Sequence, residues 1–213
     1  MVRWLPIGSW EPHSSHLPYD TDTRIATHLA QEAADGEDII LPALGYGCSF
    51  EHREMGSPVS LHVATFVTVV SEIAHSSKIP LVIVNAHGGN TALESLSQEL
   101  NAENIHTLVL PHKSQWAQAF KEVSWPFTPH DDMHAGALET SLMWAWEPDM
   151  VRLPVPQDHT ADNRSLFSAL GMAGYTTSGV IGLPEYASAQ LGQQLITYFK
   201  TAMRLSIKEW LHG

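Results

Sequence analysis

The stretch Ile79-Pro80-Leu81-Val82-Ile83-Val84-Asn85-Ala86-His87-Gly88-Gly89-Asn90 decides the fold. Its first half is an apolar run of strand length, as a strand covered on both faces requires. Its second half turns through a histidine and two glycines into Thr91 to Ala102, whose spacing predicts a helix. A buried strand feeding a glycine turn and then a helix is one unit of an α/β fold with a mainly parallel sheet.

The same alternation runs outward from that unit. Val2 to Ile7 reads as a strand ending at Gly8, and Thr23 to Ala34 as a helix carrying Ile25, Leu29 and Ala33 before a stop at Gly36. Ile39 to Leu41 is a strand followed by the Gly45-Tyr46-Gly47 loop, and Leu61 to Ser76 a helix. Thr107 to Leu110 completes the strands, while Ala135 to Trp146 and Leu183 to Leu211 have helical period. Only Pro154 to Asn163 is loose enough for a long loop. No repeat or linker divides the chain, so a single domain over residues 1–213 is expected.

Composition narrows the class. A content of 44% hydrophobic and 16% charged residues excludes disorder at this length. Eleven Lys plus Arg against 23 Asp plus Glu give a formal charge of -12, which repels phosphate backbones and anionic lipid, so neither nucleic acid nor membrane is an expected partner. The apolar runs fall far short of the ~20 residues that span a bilayer. No export signal is read at the start, and the single Cys48 forms no internal disulfide, so a cytoplasmic location is expected. Cys48 itself reads as packing rather than as a nucleophile. The thirteen histidines outnumber the basic residues and gain meaning only where they converge with carboxylates.

In an open parallel sheet, ligands sit beyond the carboxyl ends of the strands. The first such junction contains Glu11-Pro12-His13-Ser14-Ser15-His16-Leu17-Pro18 and then Thr21-Asp22. Glu11 and His13, two apart, project to one side of extended backbone, which suits ligands of adjacent metal ions. Asp22 stands at a helix entry, where it either caps backbone or bridges two cations. The second junction is Asn85 to Asn90, where Gly88 and Gly89 let backbone approach a ligand closely. The third is Asp131 to Ser141, where Glu139 lies among Ala137, Leu138, Leu142 and Met143 and is costly there unless paired or metal-bound. An acid favoured by the helix dipole is the alternative reading of Glu139. Together Glu11, His13, Asp22, His87 and Glu139 form an imidazole and carboxylate set suited to Zn2+ or Mn2+, with Fe2+ also accepted. Five donors exceed the need of one catalytic ion, whereas two divalent ions sharing a carboxylate use them all.

On these motifs the chain resembles the creatininase family of metal-dependent amidohydrolases. Glu11 to Pro18 with Thr21-Asp22, Asn85 to Asn90, and His134-Ala135-Gly136 with Glu139-Thr140-Ser141 match its segments in order, as do Tyr46 to His52 and Gly179 to Ser188. The resemblance implies a three-layer α/β/α sandwich, a binuclear site and a homo-oligomer, usually a hexamer. It implies Glu11, Asp22 and His87 on one metal and His13, Asp22 and Glu139 on the other. The creatininases themselves carry a ligand acid where this chain has Gly89, so that role passes to Glu139 here. His130 replaces an aromatic, which argues against creatinine as substrate. Pro12, Ser14 and Ser15 also depart from the family segment.

The expected chemistry is hydrolysis of an amide-type C–N bond in a small molecule or short peptide, with His134 as the catalytic proton donor or, alternatively, a holder of a ligand carboxylate. Glu51, His52, His130, Gly88 and Gly89 are candidates for substrate contact or support of the ligands. His16 reads as fixing its loop. A small cyclic amide, a ribotide formamide and the mycofactocin precursor peptide are the substrate readings, and the run from His16 to Thr27 most resembles the mycofactocin peptidase branch. A metal-binding oligomeric scaffold without activity is the alternative of a different class. Gly45-Tyr46-Gly47 as a phosphate loop lacks the third glycine and the helix start.

Overall fold

A computed structural model describes residues 1–212. Four strands, β1 (Arg3–Ile7), β2 (Ile39–Ile40), β3 (Leu81–Asn85) and β4 (Thr107–Leu110), form one all-parallel sheet in the order β2-β1-β3-β4. Trp4 stands opposite both Ile40 and Val82, and Val84 opposite Leu110. The alternation of side chains along each strand splits the core in two. Trp4, Val82, Val84 and Leu110 face one helical layer, while Leu5, Ile7, Leu81 and Ile83 face the other. These side chains are buried, and each contributes roughly 1.5–3 kcal/mol on leaving water.

The first layer consists of α1 (Thr21–Ala33), α4 (Lys113–Glu122), α5 (Ala137–Trp146) and the long α7 (Ala189–His212), packed through Ile25, Leu29, Phe120, Leu142 and Phe199. The second consists of α2 (Val63–His75) and α3 (Ala92–Ala102), packed through Phe66, Val70, Leu93 and Leu96. The result is a three-layer α/β/α sandwich. Arg3 is buried with its charge. Its guanidinium donates to the carbonyls of Ile73, Ala74, Ser77 and Ile79 at 3.0–3.3 Å, satisfying the carbonyl-rich end of α2.

Five helices depart most from the sequence reading. Helix α1 starts at Thr21, which puts Asp22 inside its first turn, and it ends at Ala33 because Ala34 is already extended, before Gly36. Helix α5 starts at Ala137 and not at Ala135, because Ala135 is left-handed. The segment before α7 is a separate 3-10 turn, Pro184–Tyr186, so that helix begins at Ala189 and not at Leu183. Helix α4 and the short α6 (Phe167–Leu170) have no counterpart in that reading. Among the described residues no helix is long and apolar enough to cross a membrane.

The chain leaves β1 towards β2 and then crosses back from β2 to β3, so the strand order reverses between β1 and β3. A crevice opens beyond the carboxyl ends of β1 and β3, where α/β sheets bind their ligands.

Candidate active site

The loop after β1 enters that crevice and returns into α1. Gly8 makes the return possible: a Cβ there would lie 2.2 Å from the Thr23 nitrogen. The loop carries Glu11 and His13, both buried, and α1 adds Asp22 from its first turn. The turn after β3 adds His87, and α5 adds Glu139. The five residues singled out as ligands thus converge in two overlapping groups, Glu11–Asp22–His87 and His13–Asp22–Glu139.

The orientation of each imidazole follows from the hydrogen bond made by its other nitrogen. His87 Nε2 donates to the Cys48 carbonyl at 2.9 Å, which turns Nδ1 towards Asp22 Oδ2 at 3.0 Å and Glu11 Oε1 at 3.3 Å. His13 Nδ1 donates to the Glu11 carbonyl at 3.1 Å, which turns Nε2 towards Asp22 Oδ1 at 3.0 Å and Glu139 Oε2 at 3.9 Å. Backbone carbonyls holding the far nitrogen are the usual support of metal-binding histidines. Asp22 therefore offers one oxygen to each histidine, and Ser9 Oγ donates to its Oδ2 at 2.7 Å. Backbone strain helps to place Glu139: Ala135 is left-handed, with φ 52°, and its N–H donates to Glu139 Oε2 at 2.7 Å.

These contacts set bare ring nitrogens against carboxylate oxygens, an arrangement that needs a positive charge between them. In the absence of metal, protons meet that need. Burial disfavours the charge on His13, but Asp22 overrides it and raises His13 to about 10. His87 is raised well above its ordinary value against the same burial by Glu11 and Asp22. Burial would raise Glu11 and Asp22, yet His87 and His13 respectively hold them well below the usual carboxylate range. Burial pushes Glu139 up to about 8. Glu11 Oε2 is buried without a partner among the described residues. A nitrogen and oxygen donor set with an orphaned carboxylate oxygen fits divalent Zn, Mn or Fe.

The other singled-out residues divide. His134 packs between His13 and His52, with ring centroids at 4.4 and 4.6 Å. Its Nε2 donates to the Pro12 carbonyl at 2.8 Å, and Nδ1 lies 3.7 Å from Glu11 Oε1. Burial first, then the charge of His13, lower His134 to about 3. His52 Nε2 is 3.3 Å from Glu11 Oε1, and Glu51 Oε1 is 3.5 Å from His87 Nε2. Gly88 has open space over it, but a Cβ on Gly89 would lie 2.5 Å from Glu51 Oε1 and 2.2 Å from the Cys48 carbonyl, so Glu51 occupies the space over position 89. Ser14 takes φ 60°, a left-handed conformation that glycine adopts without strain. His130 faces away from the crevice: its Nε2 donates to the Asp162 carbonyl, and Arg164 donates to its Nδ1 and carbonyl. Cys48 is buried in the second apolar cluster.

Two cavities meet at His87, Gly88, Thr91, Met133, His134 and Glu139. The smaller, of about 250 Å³, has an apolar wall of Pro111, Trp116 and Phe120, and the larger, of about 570 Å³, holds Phe50, Arg53, Phe167 and Met172. Trp125 lines neither and stacks on Phe127 at 5.2 Å. Sequence reasoning missed Asp132, which accepts N–H bonds from Ala137, Leu138 and Leu183 at 2.7, 3.0 and 2.7 Å and so seats α5. An acid five residues before a helix whose entry is Gly136 was the available signal.

A parallel sandwich with carboxylates and imidazoles gathered at the switch point defines an α/β enzyme with its chemistry at the strand ends. The chain belongs to the creatininase family: the family model described as Creatininase: Creatinine amidohydrolase matches residues 2–204. It is thereby a hydrolase acting on carbon–nitrogen bonds. The Mycofactocin precursor peptide peptidase of Mycobacterium tuberculosis is 30% identical, with 97% of this chain and 84% of that protein covered. The Creatinine amidohydrolase of Pseudomonas putida is 27% identical over 74% of this chain and 69% of its own length. A solved creatinine amidohydrolase (creatininase) superposes with TM-score 0.80 at 23% identity, covering 100% of this chain and 91% of that one.

Proposed function

We propose that this single domain, residues 1–213, is a binuclear metal-dependent amidohydrolase whose substrate is a short peptide, with the mycofactocin precursor peptide peptidase as the nearest specific form. The observation that carries the reading is Asp22, whose two oxygens each stand 3.0 Å from a different histidine held by a backbone carbonyl. Glu11, Asp22 and His87 would hold one ion and His13, Asp22 and Glu139 the other, Zn2+ being the leading candidate and Mn2+ or Fe2+ the alternatives. A solved creatininase is an Mn form and a solved mutant creatininase a Zn-Zn form. Bound there, such ions lower the pKa of a water and polarise the substrate carbonyl.

The chain's own groups do the rest. Without metal, burial and the charge of His13 hold His134 neutral, and its Nδ1 faces the cluster. With ions in place of the charge on His13, that nitrogen would be the group to hold the proton of the attacking water and give it to the leaving nitrogen. Hydroxide adds to the acyl carbon, the C–N bond breaks, and a carboxylic acid and an amine are released. The two cavities on either side of His134 supply room for the acyl and amine halves, which a small ring would not fill.

Asp22→Asn tests the reading, with metal content measured by plasma mass spectrometry and turnover screened on lactams, formamides and short peptides. Wild type is expected to hold two ions and cleave a peptide, and the variant to lose turnover and much of its metal. Retention of both by the variant overturns the binuclear assignment. Metal binding by wild type without any turnover would favour the scaffold.

A further inference from the structure

The larger cavity is lined by four carboxylates, Glu11, Asp22, Glu51 and Glu139, and by a single Lys or Arg, Arg53. In a chain with only 11 basic residues, a guanidinium at this place calls for an explanation. Arg53 closes the 3-10 turn Phe50–His52 and is held from the opposite wall, where its Nη2 donates to the Ala169 carbonyl at 3.2 Å. Its other contact is an exposed pair with Glu54, at 3.4 Å from Nε. Nη1 makes no bond among the described residues, so the outer edge of the fork is free for a planar two-oxygen anion.

We propose that Arg53 anchors the free carboxylate of a peptide substrate and that the larger cavity binds the amine half of the scissile bond. One turn presents Glu51 and Arg53 to the same cavity, with Phe50, Phe167 and Met172 as its apolar walls. An acid, a guanidinium and apolar walls complement a zwitterion with apolar side chains. The amine half becomes one when its bond breaks: water supplies hydroxyl to the acyl carbon and hydrogen to the nitrogen, and the new amine protonates. Lys113, which lines the smaller cavity, is 88% exposed beside Glu94, whereas Arg53, at 54%, is also tied to the Ala169 carbonyl. A phosphate dianion would need more than this single cation, so the monoanionic carboxylate is the better match.

The inference rests on the peptidase reading, and the experiment separates the two. N-acetylated tripeptides ending in Phe are offered to the metal-loaded enzyme as free acids and as carboxamides. Wild type is expected to favour the acid by about threefold to tenfold in kcat/KM, because a charged hydrogen bond to a half-exposed guanidinium is screened by solvent. Arg53→Gln should bring that ratio close to one with metal content unchanged, and Arg53→Lys should restore part of it. Equal rates on acid and amide by wild type, or an unaltered ratio in Arg53→Gln, overturns the anchor. If no peptide is cleaved, the peptidase reading fails by itself, and calorimetric binding of the same peptides decides Arg53. Acid-selective binding lost in Arg53→Gln then supports the anchor, and unselective binding overturns it.

Discussion

His16 shows how one buried side chain couples the site to pH. It is fully buried, its Nε2 lies 2.9 Å from Thr140 Oγ1, and its Nδ1 has no partner among the described residues. Burial, and secondarily the charge on His13, lowers His16 from 6.5 to about 4. A folded value below the unfolded one means that folding favours the neutral ring. The stabilisation is therefore complete above pH 6.5 and is lost as pH falls through 4, by up to about 3 kcal/mol. Urea denaturation of wild type and His16→Asn at pH 7 and pH 4.5 checks this. The variant should be less stable at pH 7 and lose less on acidification, and parallel losses would remove His16 from the pH response. The residue types and spacings of the ligand cluster were legible in the sequence, because Glu11 and His13 at i and i+2 in extended backbone must point the same way. Which nitrogen of each imidazole is free was not legible. That depends on the carbonyls of Glu11, Cys48 and Pro12, which only the folded backbone brings into place.

At the scale of elements, α5 depends on Asp132. The carboxylate ties two N–H groups at the start of the helix to the Leu183 N–H, so one side chain fixes α5 against the segment that leads to α7. Gly136 leaves the room for it, since a Cβ there would lie 1.9 Å from Asp132 Oδ1. Asp132→Ala orphans three N–H groups, two of them on the helix that carries Glu139, and should cost about 2–4 kcal/mol. Asp132→Asn keeps one acceptor oxygen, enough for the Ala137 and Leu183 bonds, and should cost less. Thermal unfolding with metal titration checks both. A stable Asp132→Ala protein with wild-type metal affinity would show that α5 is seated by packing alone. The strands and five of the helices were legible because their apolar period is strong. Helix α4 was not legible, although Trp116, Ala119 and Phe120 have helical spacing, because its first turn, Lys113 to Gln115, is polar and Pro111 stands just before it. Helix α6, at four residues, is too short to show a period.

For the whole molecule the question is assembly. The formal charge of -12 opposes self-association, and two divalent ions per chain would bring it to -8. Against that stands the sheet edge. Strand β2 is the outer strand, only two residues long, and both Ile39 and Ile40 are exposed, at 41% and 39%. An uncovered apolar edge invites another chain to cover it. The homohexamer implied by the family resemblance would meet that need, with like charges spread around its outside. Repulsion between exposed charges is screened within about 10 Å at 0.1 M salt, while apolar burial is not weakened by salt. Metal-loaded protein in at least 0.1 M salt should therefore sediment at about six times the 23.5 kDa of one chain, with smaller species appearing as salt or metal is withdrawn. Ile39→Glu with Ile40→Glu should shift the distribution towards smaller species if β2 lies in an interface. A monomer of unchanged mass across salt and metal would end the hexamer proposal and leave β2 as a short edge that protects itself by its length.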